Sequence, residues 1–184
     1  MTKLISPEYC ALNQALHADR PTYGAAGHRW AARAAFIALQ YQAKDVLDYG
    51  CGKGALKPAF PQAWTETGGQ GPAPGVYLYD PAVPAFAAEP LPHDVVVCAD
   101  VLEHVEPDCL DAVLADLARV TLKICFAVIA TRPAKKVLSD GRNAHLLVQP
   151  PEWWRARMNA HFAIVQWSWS GGKEEVEMEL ATLR

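Results

Sequence analysis

Three features of the 184-residue sequence predict an α/β fold built on a mostly parallel sheet with helices on both faces. Apolar, β-branched runs alternate with amphipathic segments. A glycine-dense turn, Tyr49-Gly50-Cys51-Gly52-Lys53-Gly54, follows the first such run, and the tail alternates apolar with polar residues.

Taken in order, about His28 to Gln42 places Trp30, Ala34, Ile37, Ala38 and Tyr41 on one helical face, within an N-terminal helical region, residues 1–44, that lies outside the sheet. Asp45 to Asp48 is a short strand. Thr65 to Gly75 is rich in Gly, Pro, Thr and Gln and reads as the most mobile loop. Val76 to Tyr79 is the second strand and runs into Asp80-Pro81. Asp94-Val95-Val96-Val97-Cys98 is a continuous run of the kind shown by a strand buried on both faces. Only Asp80 to His93, with four prolines, separates these two strands, too little for a helix and a strand, so the sheet's third strand is shortened or absent.

From Pro107 to Val120 a helix is expected. Pro107 suits its first turn, Asp108 and Asp111 its positive end, and Leu110, Val113, Leu114, Leu117 and Val120 form its stripe. Lys123 to Ala130 is another apolar strand, and Thr131 to His145 a polar loop rich in cations. Pro151-Glu152 opens a helix with Trp154, Met158 and Phe162 on one face. Val165, Trp167 and Trp169 alternate with Gln166 and Ser168; after Gly171-Gly172, Val176, Met178 and Leu180 alternate with Glu175, Glu177 and Glu179, which reads as a C-terminal antiparallel hairpin. Residues 1–184 make one domain, with 45–184 as its core.

A hydrophobic fraction of 51%, 20% charged residues and a net charge of −3 exclude bulk disorder and give no general pull towards nucleic acid or anionic membranes. No apolar run reaches the roughly 20 residues of a membrane span and no secretory leader is evident, so a cytoplasmic protein is predicted. Five cysteines (Cys10, Cys51, Cys98, Cys109, Cys125), never spaced C-x-x-C, read as free thiols. Sequence leaves the oligomeric state open.

The candidate site starts at Asp48-x-Gly50-x-Gly52-x-Gly54. Three absent side chains at the end of a strand let a ligand approach the backbone, whose amides are expected to be free to donate. The run Gly50-x-Gly52-x-x-Ala55 also fits a dinucleotide fingerprint, but Asp80 ends the second strand 32 residues after Asp48, where about 20 is usual. Asp48 itself would oppose a pyrophosphate, so a cationic ligand without phosphates suits the loop better.

These residues, together with Leu102-Glu103-His104-Val105, resemble the class I S-adenosylmethionine-dependent methyltransferases, particularly small ones with a D-x-G-C-G-x-G loop and an L-E-H-V segment. The resemblance covers roughly Val46 to Ala130 and implies a Rossmann-like core. It also implies that Asp48 lies near the methionine amino group, that Gly50 and Gly52 line the cofactor, that Asp80 holds the ribose hydroxyls and that Asp100 lies close by. A carboxylate-lined pocket suits a sulfonium and an α-amino group.

Asp100-x-x-Glu103-His104 and the later His145 are expected at one rim of the sheet. The set is similar to the E-x-x-E-H…H metal ligands of plant-type small-RNA 2′-O-methyltransferases, with Asp100 replacing the first Glu. The preferred reading is metal-free: His104 acts as general base near the usual histidine pKa of about 6.5, with Glu103 and His145 beside it, and a divalent ion on Asp100, Glu103, His104 and His145 is the alternative. Arg132, Lys135, Lys136 and Arg142 follow the last parallel strand, and Arg132, Arg142 and Asn143 are assigned to an anionic acceptor. Tyr23 to His28 is a candidate lid. The expected activity is methyl transfer to O or N of a small anionic molecule; the alternatives are a metal-dependent RNA 2′-O-methyltransferase and a non-catalytic S-adenosylmethionine-binding subunit.

Overall fold

The computed structural model describes residues 3–20 and 22–183. Six strands form one sheet in the order β2-β1-β3-β4-β6-β5. These are β1 (Asp45–Tyr49), β2 (Gly75–Tyr79), β3 (His93–Ala99), β4 (Thr121–Ala130), β5 (Phe162–Ser170) and β6 (Glu175–Thr182). β1 to β4 are mutually parallel, and β6 runs antiparallel to both β4 and β5. Between β2 and β3 there is only the single turn Pro84–Phe86, so the third strand is absent and β2 forms the sheet edge.

β3 and β4 are the apolar runs of the sequence and lie inside the sheet. On one face Leu47, Val96, Cys125 and Met178 pack against α4 (Leu110–Val120) and α5 (Pro151–Asn159). On the other, Val46, Val95, Val97, Ile124 and Phe126 meet α2 (Ala31–Gln40) and α3 (Leu56–Glu66). Val and Ile serve both faces because their branched side chains pack on a pleated surface without losing further rotamer freedom.

Two helices were not legible in the periodicity. α3 carries Pro58 and an interior Pro61, which break the usual pattern, yet Leu56, Phe60, Ala63 and Trp64 are buried on one face. Thr65 and Glu66, expected in the mobile loop, finish this helix, and Gly69 folds back with its N–H on the Trp64 carbonyl. α1 (Pro7–Asp19) starts at Ser6, whose Oγ accepts from the Tyr9 amide, and Pro7 occupies the first turn. It buries only Tyr9 and Asn13, so it has almost no apolar stripe.

The hairpin departs from clean alternation. A register shift between Ile164 and Gln166 leaves Val165 exposed, and Trp169 also faces solvent. In β6, Glu175 and Glu179 are buried rather than solvated, because β6 lies between β4 and β5 with the N-terminal region on its acidic face. Glu179 accepts from Arg33 at 2.7 Å and from the Tyr41 hydroxyl at 3.2 Å.

Candidate active site

A cavity of about 570 Å³ opens at the carboxyl ends of the parallel strands and is lined by Gly50, Gly52, Asp80, Asp100, Glu103, His104, Arg132 and His145. α1 roofs it. Cys10 Sγ donates to the Pro81 carbonyl at one end, the Ser6 amide donates to Glu106 at the other, and Tyr9 packs with Leu138 and Ala144. The segment Tyr23 to His28 packs on the glycine loop: the Gly24 carbonyl accepts the Lys53 amide at 2.9 Å, and a Cβ on Gly52 would stand 2.6 Å from that oxygen.

Gly50, Gly52 and Gly54 all have positive φ, the region that side chains disfavour. Their amides are not free, contrary to expectation. Gly50 and Cys51 both donate to the Tyr79 carbonyl, Gly52 donates to Asp80 Oδ2, and Gly54 to the Cys51 carbonyl. The parallel register Tyr49↔Tyr79 brings the end of β2 alongside the loop and takes up these donors. The loop's amides are therefore spent within the protein, and the polar atom beside it left without a partner is Asp48 Oδ2.

Asp48 is buried with Oδ2 unpartnered, and burial first, then the charge of Asp80, pushes its carboxyl up to about 7. It borders a smaller pocket of about 60 Å³ that also touches Gly50, Trp30 and Asp100. Asp80 accepts from the Gly52 amide with Oδ2 and the Ala82 amide with Oδ1, both at 2.9 Å, so it clamps the loop as well as lining the cavity. Asp100 has φ +59°, uncommon for a non-glycine residue, and its Oδ2 accepts the Trp30 indole N–H at 3.1 Å.

Glu103 is fully buried. Its Oε1 accepts the Ala130 amide, Oε2 has no partner, and burial first, then Asp100, pushes the carboxyl up to about 8. His104 Nδ1 lies 2.7 Å from the Ala144 carbonyl and His145 Nδ1 2.6 Å from the Arg132 carbonyl. A carbonyl only accepts, so both imidazoles carry their proton on Nδ1 and keep a bare lone pair on Nε2. Their rings meet edge to face at 4.7 Å. Burial, then His145, holds His104 down to about 4, well below the 6.5 expected of the free side chain. Glu103, His104 and His145 bring one ligand atom each within 4.8 Å of one another; Asp100, the fourth expected member, is not in this group.

Of the residues expected to meet an anionic acceptor, Arg132 lines the cavity, but Arg142 and Asn143 do not. Arg142 is held by Asp140 at 2.7 Å and lies over the Tyr9 ring. Asn143 is a clasp: its Oδ1 accepts from the Ala134 and His145 amides and its Nδ2 donates to the Ala134 carbonyl, which sets the position of His145. Sequence reasoning missed Arg29 and the α1 residues Tyr9, Asn13 and His17, all of which line the cavity. The Ser6-Pro7-Glu8 cap signature was the available signal for α1.

No protein-family model matches the chain, and no curated protein does either. Solved structures do. The chain is similar to the Burkholderia thailandensis 1,6-didemethyltoxoflavin-N1-methyltransferase with bound 1,6-didemethyltoxoflavin and S-adenosylhomocysteine, at TM-score 0.65 and 17% identity over 100% of this chain and 93% of that one. It is similar to DhpI in complex with S-adenosylhomocysteine, at TM-score 0.60 and 17% identity over 96% and 98%. The Synechocystis PCC 6803 magnesium protoporphyrin IX methyltransferase matches at TM-score 0.52 and 17% identity over 85% and 84%. The fold is that of the class I S-adenosylmethionine-dependent methyltransferases.

Proposed function

We propose that this protein is a methyltransferase that uses S-adenosylmethionine to methylate an oxygen or nitrogen of a small anionic acceptor. One observation carries the reading: the buried, unpartnered Oδ2 of Asp48 beside a loop of three positive-φ glycines, two of which, Gly50 and Gly52, line the main cavity. Such an oxygen is costly unless a donor or cation meets it, and an α-ammonium group supplies both. Bound S-adenosylmethionine supplies a methyl group already activated by a sulfonium. Asp48 would hold the ammonium group, Gly50 and Gly52 give close approach, Asp80 faces the ribose and Asp100 closes the cofactor end. The chain then has to align the acceptor and keep water out, which the α1 roof favours. No described helix is long and apolar enough to cross a membrane, and the five free cysteines support a cytoplasmic setting.

S-Adenosylhomocysteine titrated calorimetrically into the purified protein tests the reading; absence of binding would overturn it. Gly50→Val should abolish that binding, since a Cβ there would lie 2.5 Å from Val101 Cγ2 and the backbone has φ +75°. Asp80→Ala should weaken it and also lower stability by about 2 kcal/mol, because two backbone amides lose a carboxylate acceptor. If stability is unchanged in Asp80→Ala, the clamping role is wrong.

A second reading concerns the rim. Three side chains, Glu103, His104 and His145, bring one ligand atom each within 4.8 Å of one another, with a lone pair left on each Nε2 and Glu103 Oε2 unpartnered. The arrangement fits a divalent cation better than a lone general base, and two nitrogens with one oxygen suit Mn²⁺, Fe²⁺, Co²⁺ or Zn²⁺. A cation there would polarise an acceptor oxygen. An RNA 2′-hydroxyl is one such acceptor, but the net charge of −3 argues for a small molecule. The cavity extends past the cofactor residues to this rim, which argues against a subunit that only binds cofactor.

A further inference from the structure

We propose that Arg29 and Arg132, held together by the buried Glu175, form the binding site for an oxyanion, a carboxylate or a phosphate, on the acceptor molecule. The proposal rests on the methyltransferase reading for the word acceptor; the anion site itself does not.

Glu175 is the first residue of β6 and pairs with Ala130, the last of β4. Its Oε1 takes both guanidiniums, Arg29 Nη2 and Arg132 Nη2, each at 3.3 Å. The two arginines come from distant parts of the chain, one from the turn Ala26–Trp30 and one from the loop after β4. Both line the main cavity, with side chains 44% and 39% exposed.

The neighbouring pair on the same strand shows how a purely structural ion pair looks in this protein. Glu179 has one arginine at 2.7 Å on Oε1 and a tyrosine hydroxyl on Oε2, so both oxygens are used. At Glu175 two guanidiniums share one oxygen at longer range. A guanidinium has five N–H donors, and neither Arg29 nor Arg132 has another side-chain hydrogen-bond partner among the described residues. Most of their donors remain available at the cavity wall, in the planar fork that matches a carboxylate or phosphate.

Position and charge support the same assignment. Lys135 and Lys136 line the cavity as well, whereas Asp48, Asp80 and Asp100 mark the glycine-loop end. In the sheet order β1-β3-β4-β6, Glu175 lies three strands from the glycine loop, about 14 Å at the usual strand spacing. The Arg132 carbonyl also holds His145 Nδ1, so an anion on Arg132 is anchored beside the histidine rim. Arg29 is fixed from behind by the Trp30 ring at 4.9 Å, and Trp30 in turn bonds Asp100.

The test follows the arginine Nε–H resonances of ¹⁵N-labelled protein during titration with inorganic phosphate and, separately, with malonate, with and without saturating S-adenosylhomocysteine. Saturable shifts of the Arg29 and Arg132 signals are expected, with affinity falling about tenfold or more in Arg29→Ala and in Arg132→Ala. Arg29→Lys and Arg132→Lys retain the charge and serve where an alanine variant melts early; they should lose most of the affinity because the fork is gone. S-Adenosylhomocysteine affinity should stay within about twofold throughout. Response to phosphate alone assigns a phosphorylated acceptor, and response to malonate alone a carboxylic one. Absence of saturable shifts, or shifts that persist in the double alanine variant, overturns the proposal. It is also overturned if the variants lose S-adenosylhomocysteine affinity instead, since the pair would then serve the cofactor's own carboxylate. If the protein binds no S-adenosylhomocysteine at all, the methyltransferase reading fails, while the anion titration of the free protein still decides the clamp.

Discussion

Asp48→Asn is expected to make the protein more stable at pH 8 and unable to hold its cofactor. In the folded chain burial and the charge of Asp80 raise the Asp48 carboxyl from 3.8 to about 7. The folded state therefore binds this proton more tightly than the unfolded state, and stability falls as pH climbs from about 4 to 7. Above pH 7 the full penalty persists, on the order of 4 kcal/mol for a rise of that size. Asparagine keeps the shape and carries no charge. Denaturant unfolding should show the variant ahead of wild type by a few kcal/mol at pH 8, with the gap closing towards pH 4. Cofactor affinity should move the other way, because an ammonium group needs the carboxylate. Wild-type binding of S-adenosylhomocysteine should weaken below pH 7 as Asp48 takes up its proton. A variant that is less stable at pH 8, or that binds normally, would show that the unpartnered oxygen is not a ligand-seeking group. Carrying such a cost in the free protein is what a site that sacrifices stability for binding looks like.

The features that were legible in the sequence are those fixed by neighbours in the chain. β3 and β4 are continuous apolar runs because both faces are covered, and such runs need no long-range information. The absent third strand followed from four prolines in a short segment, and the positions of Asp48, Gly50, Gly52, Asp80 and Asp100 at strand ends, beside the two cavities, followed from the strand boundaries. What was not legible depends on crossings. Glu175 and Glu179 alternate with apolar residues as solvent-facing acids do, and only the N-terminal region folding over β6 buries them and brings Arg29 and Arg33 to them. Arg142 and Asn143 looked equivalent to Arg132 in a cationic loop. The fold of that loop turns Arg142 onto Asp140 and Tyr9 and uses Asn143 as a clasp, leaving Arg132 at the cavity. The helix α1 was hidden for a related reason: its partner surface is a loop, so it needs few apolar residues.

On the cation reading of the rim, Glu103→Gln, His104→Ala and His145→Ala should each lower divalent-cation affinity by on the order of 100-fold or more, since loss of a supporting hydrogen bond alone costs 10–100-fold and each variant removes a proposed ligand. The prediction is specific because His145 lies 41 residues beyond His104 and comes from a different loop. Were His104 a lone base, His145 would be a minor contact and the cation irrelevant. Cobalt(II) gives the readout without knowledge of the acceptor: a visible spectrum with nitrogen ligation should appear in wild type at one equivalent and be lost in all three variants. S-Adenosylhomocysteine affinity should be unchanged in the same proteins, because none of these residues belongs to the glycine-loop end. Once an acceptor is in hand, chelator should reduce turnover as deeply as His104→Ala. Asn143→Ala supplies a graded control, since it removes the acceptor of the His145 amide without touching a ligand atom, and an intermediate loss of cation affinity is expected. Equal spectra in wild type and His145→Ala would exclude the three-residue site. Activity that survives chelation but vanishes in His104→Ala would return the rim to general-base chemistry, with the His104 imidazole, held down to about 4, unprotonated across the whole neutral range.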